Sequence, residues 1–108
     1  MKTRAALFHA VGEPFEVAEI DLDPPGPRDV VVRMAATGIC GTDLHWYHGA
    51  FPAPPVCPGH EITGDVAAAG ANVCELREGD AVALEGIAGC GQCAACRSGS
   101  YHLCRVLG

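Results

Sequence analysis

Four cysteines near the end of the 108-residue chain carry its clearest chemistry: Cys90, Cys93 and Cys96 in the run C-x-x-C-x-x-C, then Cys104 after seven residues. Two-residue gaps let successive thiolates converge on one ion, and Gly89, Gly91 and Gly99 are expected to supply the unusual backbone angles of such a tight wrap. Four thiolates with no open position describe a structural zinc site. The same opening run begins bacterial iron-sulfur motifs, but those continue with a three-residue gap and Cys-Pro. Here the gap is seven residues and Arg105 follows Cys104. The letters G-x-G-x-x-A also occur, at Gly89, Gly91 and Ala94. A dinucleotide fingerprint needs a strand before it and a helix after it, and interleaving with cysteines argues against that reading.

Cys40, Cys57 and Cys74 remain. Cys57 lies in a proline loop and Cys74 in a polar connection, so both read as bystanders. Cys40 is expected to end a buried strand and enter a glycine-started helix, where helix amides favour a thiolate. His60 and Glu61 stand side by side in "GHEITG". Taken singly, a buried cysteine is a small hydrophobe and a lone histidine an ordinary surface or core residue.

The elements that must position these residues are short. "TRAALFHA" and "FEVAEIDL", separated by "VGEP", predict a hairpin-like opening. "DPPGPRD" breaks regular structure, and "DVVVRMAATGIC" is the strongest strand candidate, delivering Cys40 at its end. "GTDLHWYHG" predicts about two helical turns capped by Thr42 or Asp43 and ended by Gly49. "AFPAPPVCPG" is expected to be an extended loop, "HEITGDVAAAG" and "GDAVALEG" strands, and "ANVCELREGD" their connection. The chain thus reads as a mainly β domain followed by an irregular cysteine lobe.

Composition limits the functions open to this chain. An apolar fraction of 49% argues against disorder, and no apolar run approaches the roughly 18 residues of a membrane span. A net charge of −6 and a pI near 5.1 speak against nucleic acid or an anionic membrane as partner. His9 interrupts the short apolar run near the start and no small-residue cleavage site follows, so the expected compartment is the cytoplasm. Seven cysteines, an odd number, fit metal binding there better than disulfides.

Together with the lobe, "GICGTDLH" and "PGHEITGDV" resemble the zinc-dependent medium-chain alcohol and polyol dehydrogenase family over essentially the whole chain. The resemblance implies a GroES-like fold, a partly open barrel with a short helix and an irregular zinc lobe. It makes residues 1–108 the N-terminal part of the catalytic domain, with 86–108 as the structural zinc lobe. It also implies Cys40 and His60 as catalytic zinc ligands and Glu61 as an alternative one. Asp43 would orient the ligand histidine, Thr42 take the substrate proton and His45 pass it towards solvent. Cys90, Cys93, Cys96 and Cys104 match the structural zinc ligands. The implied reaction moves hydride between an alcohol or polyol and NAD or NADP, with zinc as Lewis acid. The implied partners are a small-molecule alcohol and other copies of a full-length chain.

Two departures from the family stand out. Gly41 replaces the arginine or histidine that contacts cofactor pyrophosphate in some members, which leans towards the polyol, threonine, glucose or secondary-alcohol branches. The chain also lacks the family's nucleotide-binding domain and third catalytic ligand, so it reads as an incomplete domain expected to be inactive alone. A non-catalytic zinc-binding GroES-like module is the alternative function, and a co-chaperonin relative has no evident use for the lobe. His9, His48 and His102 read as surface, helix-end or lobe residues, and Trp46 and Tyr47 as core or pocket lining.

Structural zinc in small peptides contributes on the order of 10 kcal/mol at neutral pH, comparable to the whole stability of a small domain. Chelation is therefore expected to disorder residues 86–108, read as lost amide hydrogen-exchange protection there. Unchanged exchange in a fully zinc-free chain would refute the structural role.

Overall fold

The computed structural model describes residues 1–51 and 56–107. The elements are β1 (Lys2–Leu7), β2 (Glu16–Asp21), β3 (Val30–Thr37), α1 (Gly41–Tyr47), β4 (Ile62–Ala69), β5 (Ala81–Ala83), α2 (Ala94–Arg97) and a 3-10 turn, Tyr101–Leu103. The expected hairpin forms, with β1 and β2 antiparallel from Lys2 opposite Asp21 to Leu7 opposite Glu16. The proline-rich stretch separates it from a second antiparallel sheet of order β3-β4-β5. The chain is mainly β, and its described strands form two open sheets without closing a barrel. The loop expected over "AFPAPPVCPG" lies partly outside the described residues. No helix is long and apolar enough to cross a membrane among the described residues.

β3 forms where the valine triplet predicts, but it is not a buried strand. Val30 to Val32 are half-buried, and the strand from Arg33 to Thr37 is exposed. It lies at the edge of its sheet, flanked by β4 alone among the described residues. Its pairing with β4 carries irregularities between Val31 and Val32 and between Met34 and Ala36. Such bulges bend a strand and increase its twist.

The expected helix cap also shifts. Cys40, not Thr42 or Asp43, is the N-cap, with extended backbone angles of φ −84° and ψ 157°. Asp43 instead sits in the third helical position, where its Oδ2 accepts a 2.8 Å hydrogen bond from the Cys40 amide. A carboxylate there reaches back to the cap amide, which is the acidic half of a capping box.

Among the described residues few apolar side chains are buried: Ala5, Phe8, Val66 and Cys104. Phe8 joins the two halves of the fold. Its backbone bridges Val56, with Phe8 N–H to Val56 O at 2.8 Å and Val56 N–H to Phe8 O at 3.0 Å. Its ring meets Phe15 at 5.6 Å and Tyr47 of α1 at 6.1 Å between centroids. Phe15 and Tyr47 stack at 5.9 Å with an interplanar angle of 14°. Aromatic contacts of this kind add to the burial of the rings themselves. Phe8→Ala is expected to cost about 3 to 5 kcal/mol, the range for a buried phenylalanine, measured by urea unfolding. A loss below about 1 kcal/mol would show that Phe8 is not the joint.

Candidate metal centres

The lobe brings all four of its predicted cysteines together. The sulfurs of Cys90, Cys93, Cys96 and Cys104 lie within 4.8 Å of one another. Cys93 Sγ stands 3.5 Å from Cys96 Sγ and 4.0 Å from Cys104 Sγ. A tetrahedron with Zn–S bonds of about 2.3 Å has edges of about 3.8 Å, so these spacings suit a tetrahedral thiolate site. They are too long for disulfides, whose S–S bond is about 2.05 Å, and all four thiols are free.

Local backbone builds this cage. Cys93 caps α2, and its amide donates to Cys90 Sγ at 3.3 Å. Cys104 Sγ receives the amides of Cys90, Val106 and Leu107, each at 3.4 Å. Gly91 and Gly99 take the left-handed angles expected of them, φ 73° and 84°. Gly89 is needed for space instead, since a Cβ there would come within 3.0 Å of Cys96 Sγ and 2.8 Å of Tyr101 Cβ. The lobe expected to be irregular thus holds two short helical pieces, α2 around Cys96 and the 3-10 turn just before Cys104.

The thiols differ in acidity. The three amides, led by that of Cys90, lower Cys104 to about 6 against the cost of burial. Burial, helped by neighbouring thiols, raises Cys96 to about 11. Cys93 lies below the ordinary thiol value, chiefly through a backbone hydrogen bond from Cys96.

The second cluster is assembled from distant segments. The β3–β4 register ends with Thr37 opposite Ile62, and the Gly38 amide continues it by donating to Glu61 O at 2.8 Å. Residues just after β3 therefore lie beside those just before β4. Gly59 turns the chain into His60 with φ 123°, an angle that favours glycine. Gly38 leaves the space that the Glu61 carboxylate occupies. The result is one donor atom each from Cys40, His60 and Glu61 within 4.8 Å of one another. Thiolate, imidazole and carboxylate in this number fit a zinc site that keeps a position open.

Neighbouring groups tune that cluster. Cys40 lies below the ordinary thiol value, first through the Thr42 amide, then the Thr42 hydroxyl and His60. The Thr42 Oγ1 is 3.6 Å from Cys40 Sγ. His60 is raised, chiefly by Cys40 and further by the negative charge of Asp43 and Glu61, against partial desolvation. Asp43 Oδ1 stands 3.8 Å from His60 Nδ1, an ion-pair separation longer than a hydrogen bond.

A cavity of 370 Å³ opens beside this cluster, lined by Thr42, Asp43, Trp46, Val56, Cys57 and His60 among others. Cys57, read as a bystander, lines it without joining the donor cluster, and its place next to "PGHE" was the available signal. Trp46 lines it as well, whereas Tyr47 stacks in the aromatic joint and lines a neighbouring cavity of 560 Å³ with Phe15, Ile39 and Leu44. His45 is exposed and meets Phe51, with 6.2 Å between ring centroids.

These acidities imply a pH profile for metal loading of the lobe. Lowered to about 6, Cys104 favours the thiolate at neutral pH, while Cys96, raised to about 11, must release its proton to a bound metal. Zinc affinity is therefore expected to fall with falling pH, and more steeply once pH drops through about 6, where Cys104 also takes a proton. Competition with a zinc chelator between pH 5 and 8 reads the slope; no steepening near 6 would contradict the amide anchoring of Cys104.

Comparison with known proteins agrees with this architecture. Residues 26–108 match the alcohol dehydrogenase GroES-like domain. Putative alcohol dehydrogenase D of Mycobacterium tuberculosis (strain H37Rv) is 43% identical over 105 residues, covering 96% of this chain and 28% of that protein. Benzyl alcohol dehydrogenase from Acinetobacter calcoaceticus has a TM-score of 0.94 at 35% identity, covering 99% of this chain and 30% of that one. The cobalt- and zinc-bound thermostable alcohol dehydrogenase from Pyrobaculum aerophilum has a TM-score of 0.90 at 33% identity, covering 100% and 34%. The chain thus spans about a third or less of the length of these relatives. By its sequence and its fold, it belongs to the alcohol dehydrogenase family and corresponds to part of the family's GroES-like domain.

Proposed function

We propose that this chain is the N-terminal part of the catalytic domain of a zinc-dependent oxidoreductase that moves hydride between an alcohol and NAD or NADP. The observation that carries the reading is the convergence of Cys40, His60 and Glu61 within 4.8 Å, beside a cavity that Thr42 lines. Cys40, His60 and Glu61 would hold the catalytic ion, and Cys90, Cys93, Cys96 and Cys104 a structural one. A zinc ion at the first site would supply Lewis acidity, making the substrate hydroxyl a stronger acid at neutral pH.

The chain's own residues supply the rest. Thr42 presents its hydroxyl to the cavity and takes the alcohol proton. His45, three residues further along α1 and exposed, passes that proton to solvent. Asp43 ties both ligand segments together, with one oxygen on the Cys40 amide and the other facing His60. Its charge favours a proton on His60 Nδ1 and leaves Nε2 as the donor. Binding of the hydride acceptor is assigned to the additional length that the relatives possess.

In an enzyme of the relatives' length carrying this sequence, Cys40→Ala and His60→Ala are expected to lower alcohol oxidation at least 1,000-fold, on the order of a missing metal's contribution, with circular dichroism unchanged. Metal analysis is expected to give two zinc ions per wild-type chain and one in either variant. Retained turnover would overturn the assignment of Cys40 and His60 to a catalytic ion, whereas one zinc and no turnover in the wild type would leave a non-catalytic zinc-binding module as the reading.

A further inference from the structure

Gly38 and Glu61 face each other one step past the paired strands. Thr37 lies opposite Ile62, and the Gly38 amide donates to Glu61 O at 2.8 Å, so the next pair along is Gly38 and Glu61. Opposed residues of an antiparallel pair carry their side chains on one face, with Cβ atoms about 4.5 to 5.5 Å apart. Glycine places nothing there, and the Glu61 side chain fills the space. A Cβ on Gly38 would stand 3.2 Å from Glu61 Cβ and 3.4 Å from Glu61 Cδ, and it would overlap Glu61 Oε2.

The three atoms nearest to that Cβ all belong to Glu61. Unlike Gly59, Gly38 has no positive φ, so its backbone does not call for glycine. Space for the carboxylate is what its bare Cα supplies. Glu61 is exposed, and its end can rotate about its own side-chain bonds. An added methyl group would therefore be accommodated chiefly by moving the carboxylate rather than the strand.

We infer that Gly38 is a positioning residue: its bare face seats the Glu61 carboxylate beside Cys40 and His60, and a side chain at this position displaces the carboxylate from the donor set. The inference rests on the reading of Cys40, His60 and Glu61 as ligands of one ion. With the carboxylate displaced, the cluster keeps one thiolate and one imidazole, short of the three protein ligands of an open zinc site. Seating also matters for an exposed glutamate because ordering so long a side chain costs conformational entropy, and a side chain already held in place loses less on binding an ion.

The test is zinc affinity of the Cys40 site in the full-length enzyme carrying this sequence, measured by competition with a chelator, with cobalt(II) absorption as the spectroscopic readout. Gly38→Ala is expected to lower that affinity by about 10- to 100-fold and to change the cobalt spectrum as Glu61→Ala does, while the four-cysteine lobe keeps its ion. Added to Glu61→Ala, the Gly38→Ala change is expected to alter affinity by less than about twofold, since the group it displaces is already gone. An equal loss in both backgrounds would overturn the inference, making Gly38 a packing residue. Unchanged or raised affinity in Gly38→Ala alone would also overturn it, leaving the metal reading intact. If Gly38→Ala folds only together with Glu61→Ala, the carboxylate is the obstacle and the seat is upheld; if neither variant folds, Gly38 serves the backbone and the inference fails. No loss of affinity in Glu61→Ala would remove Glu61 from the ligands and the inference with it. A wild-type enzyme that holds zinc in the lobe only would count against the metal reading itself.

Discussion

The antiparallel pairing of β3 with β4 is the constraint on which the candidate site depends. Cys40 follows the end of β3, and His60 and Glu61 precede the start of β4, so they meet only because Thr37 lies opposite Ile62. The Gly38 to Glu61 hydrogen bond extends the pairing one step past the strands, to where the ligand side chains begin. A slip of one residue would turn alternate side chains to the other face of the sheet and separate the cluster. The irregularities along β3 lie upstream of this point, so bending is absorbed before the ligands are reached.

α1 distributes the consequences of that pairing to both of its sides. Its first turn carries Thr42 and Asp43, and Asp43 serves two ends at once, holding the Cys40 amide and facing His60. Further along, Trp46 turns to the cavity while Tyr47 turns to Phe8 and Phe15. The same short helix thus joins the metal cluster to the buried aromatic joint. Phe8 completes the link, because its backbone bridge to Val56 ties the opening hairpin to the segment that leads into His60. So small a core leaves the site dependent on few contacts, and Phe8 is one of them.

The cysteine lobe follows a different logic. Its buried apolar content is little more than Cys104 itself, and its short helical pieces contact each other around the sulfurs. Backbone amides aimed at Cys104 stabilise negative sulfur there before any metal is considered. Cys96 has the opposite character, since burial among thiols resists its ionisation. A tetrahedral cation resolves that crowding of sulfur by satisfying all four donors together.

The lobe was legible in the sequence because its ligands are local. Bond lengths and two-residue gaps bring Cys90, Cys93 and Cys96 onto one side of a tight turn whatever the rest of the chain does. The valine triplet of β3 and the glycine boundaries of α1 were legible for the same reason, as were the paired opening strands. The cap was not, because Thr42 and Asp43 are residue types that favour a cap, and only the backbone angles place Cys40 outside the helix and Asp43 in its third position. Nor was the division between Trp46 and Tyr47, since adjacent helical residues differ by about 100° and only packing decides that Tyr47, not Trp46, stacks on Phe15. Local spacing determined the four-cysteine cage. Tertiary structure alone decided that Cys40, His60 and Glu61 meet, because contacts across some twenty residues depend on strand register, which no local run of residues specifies.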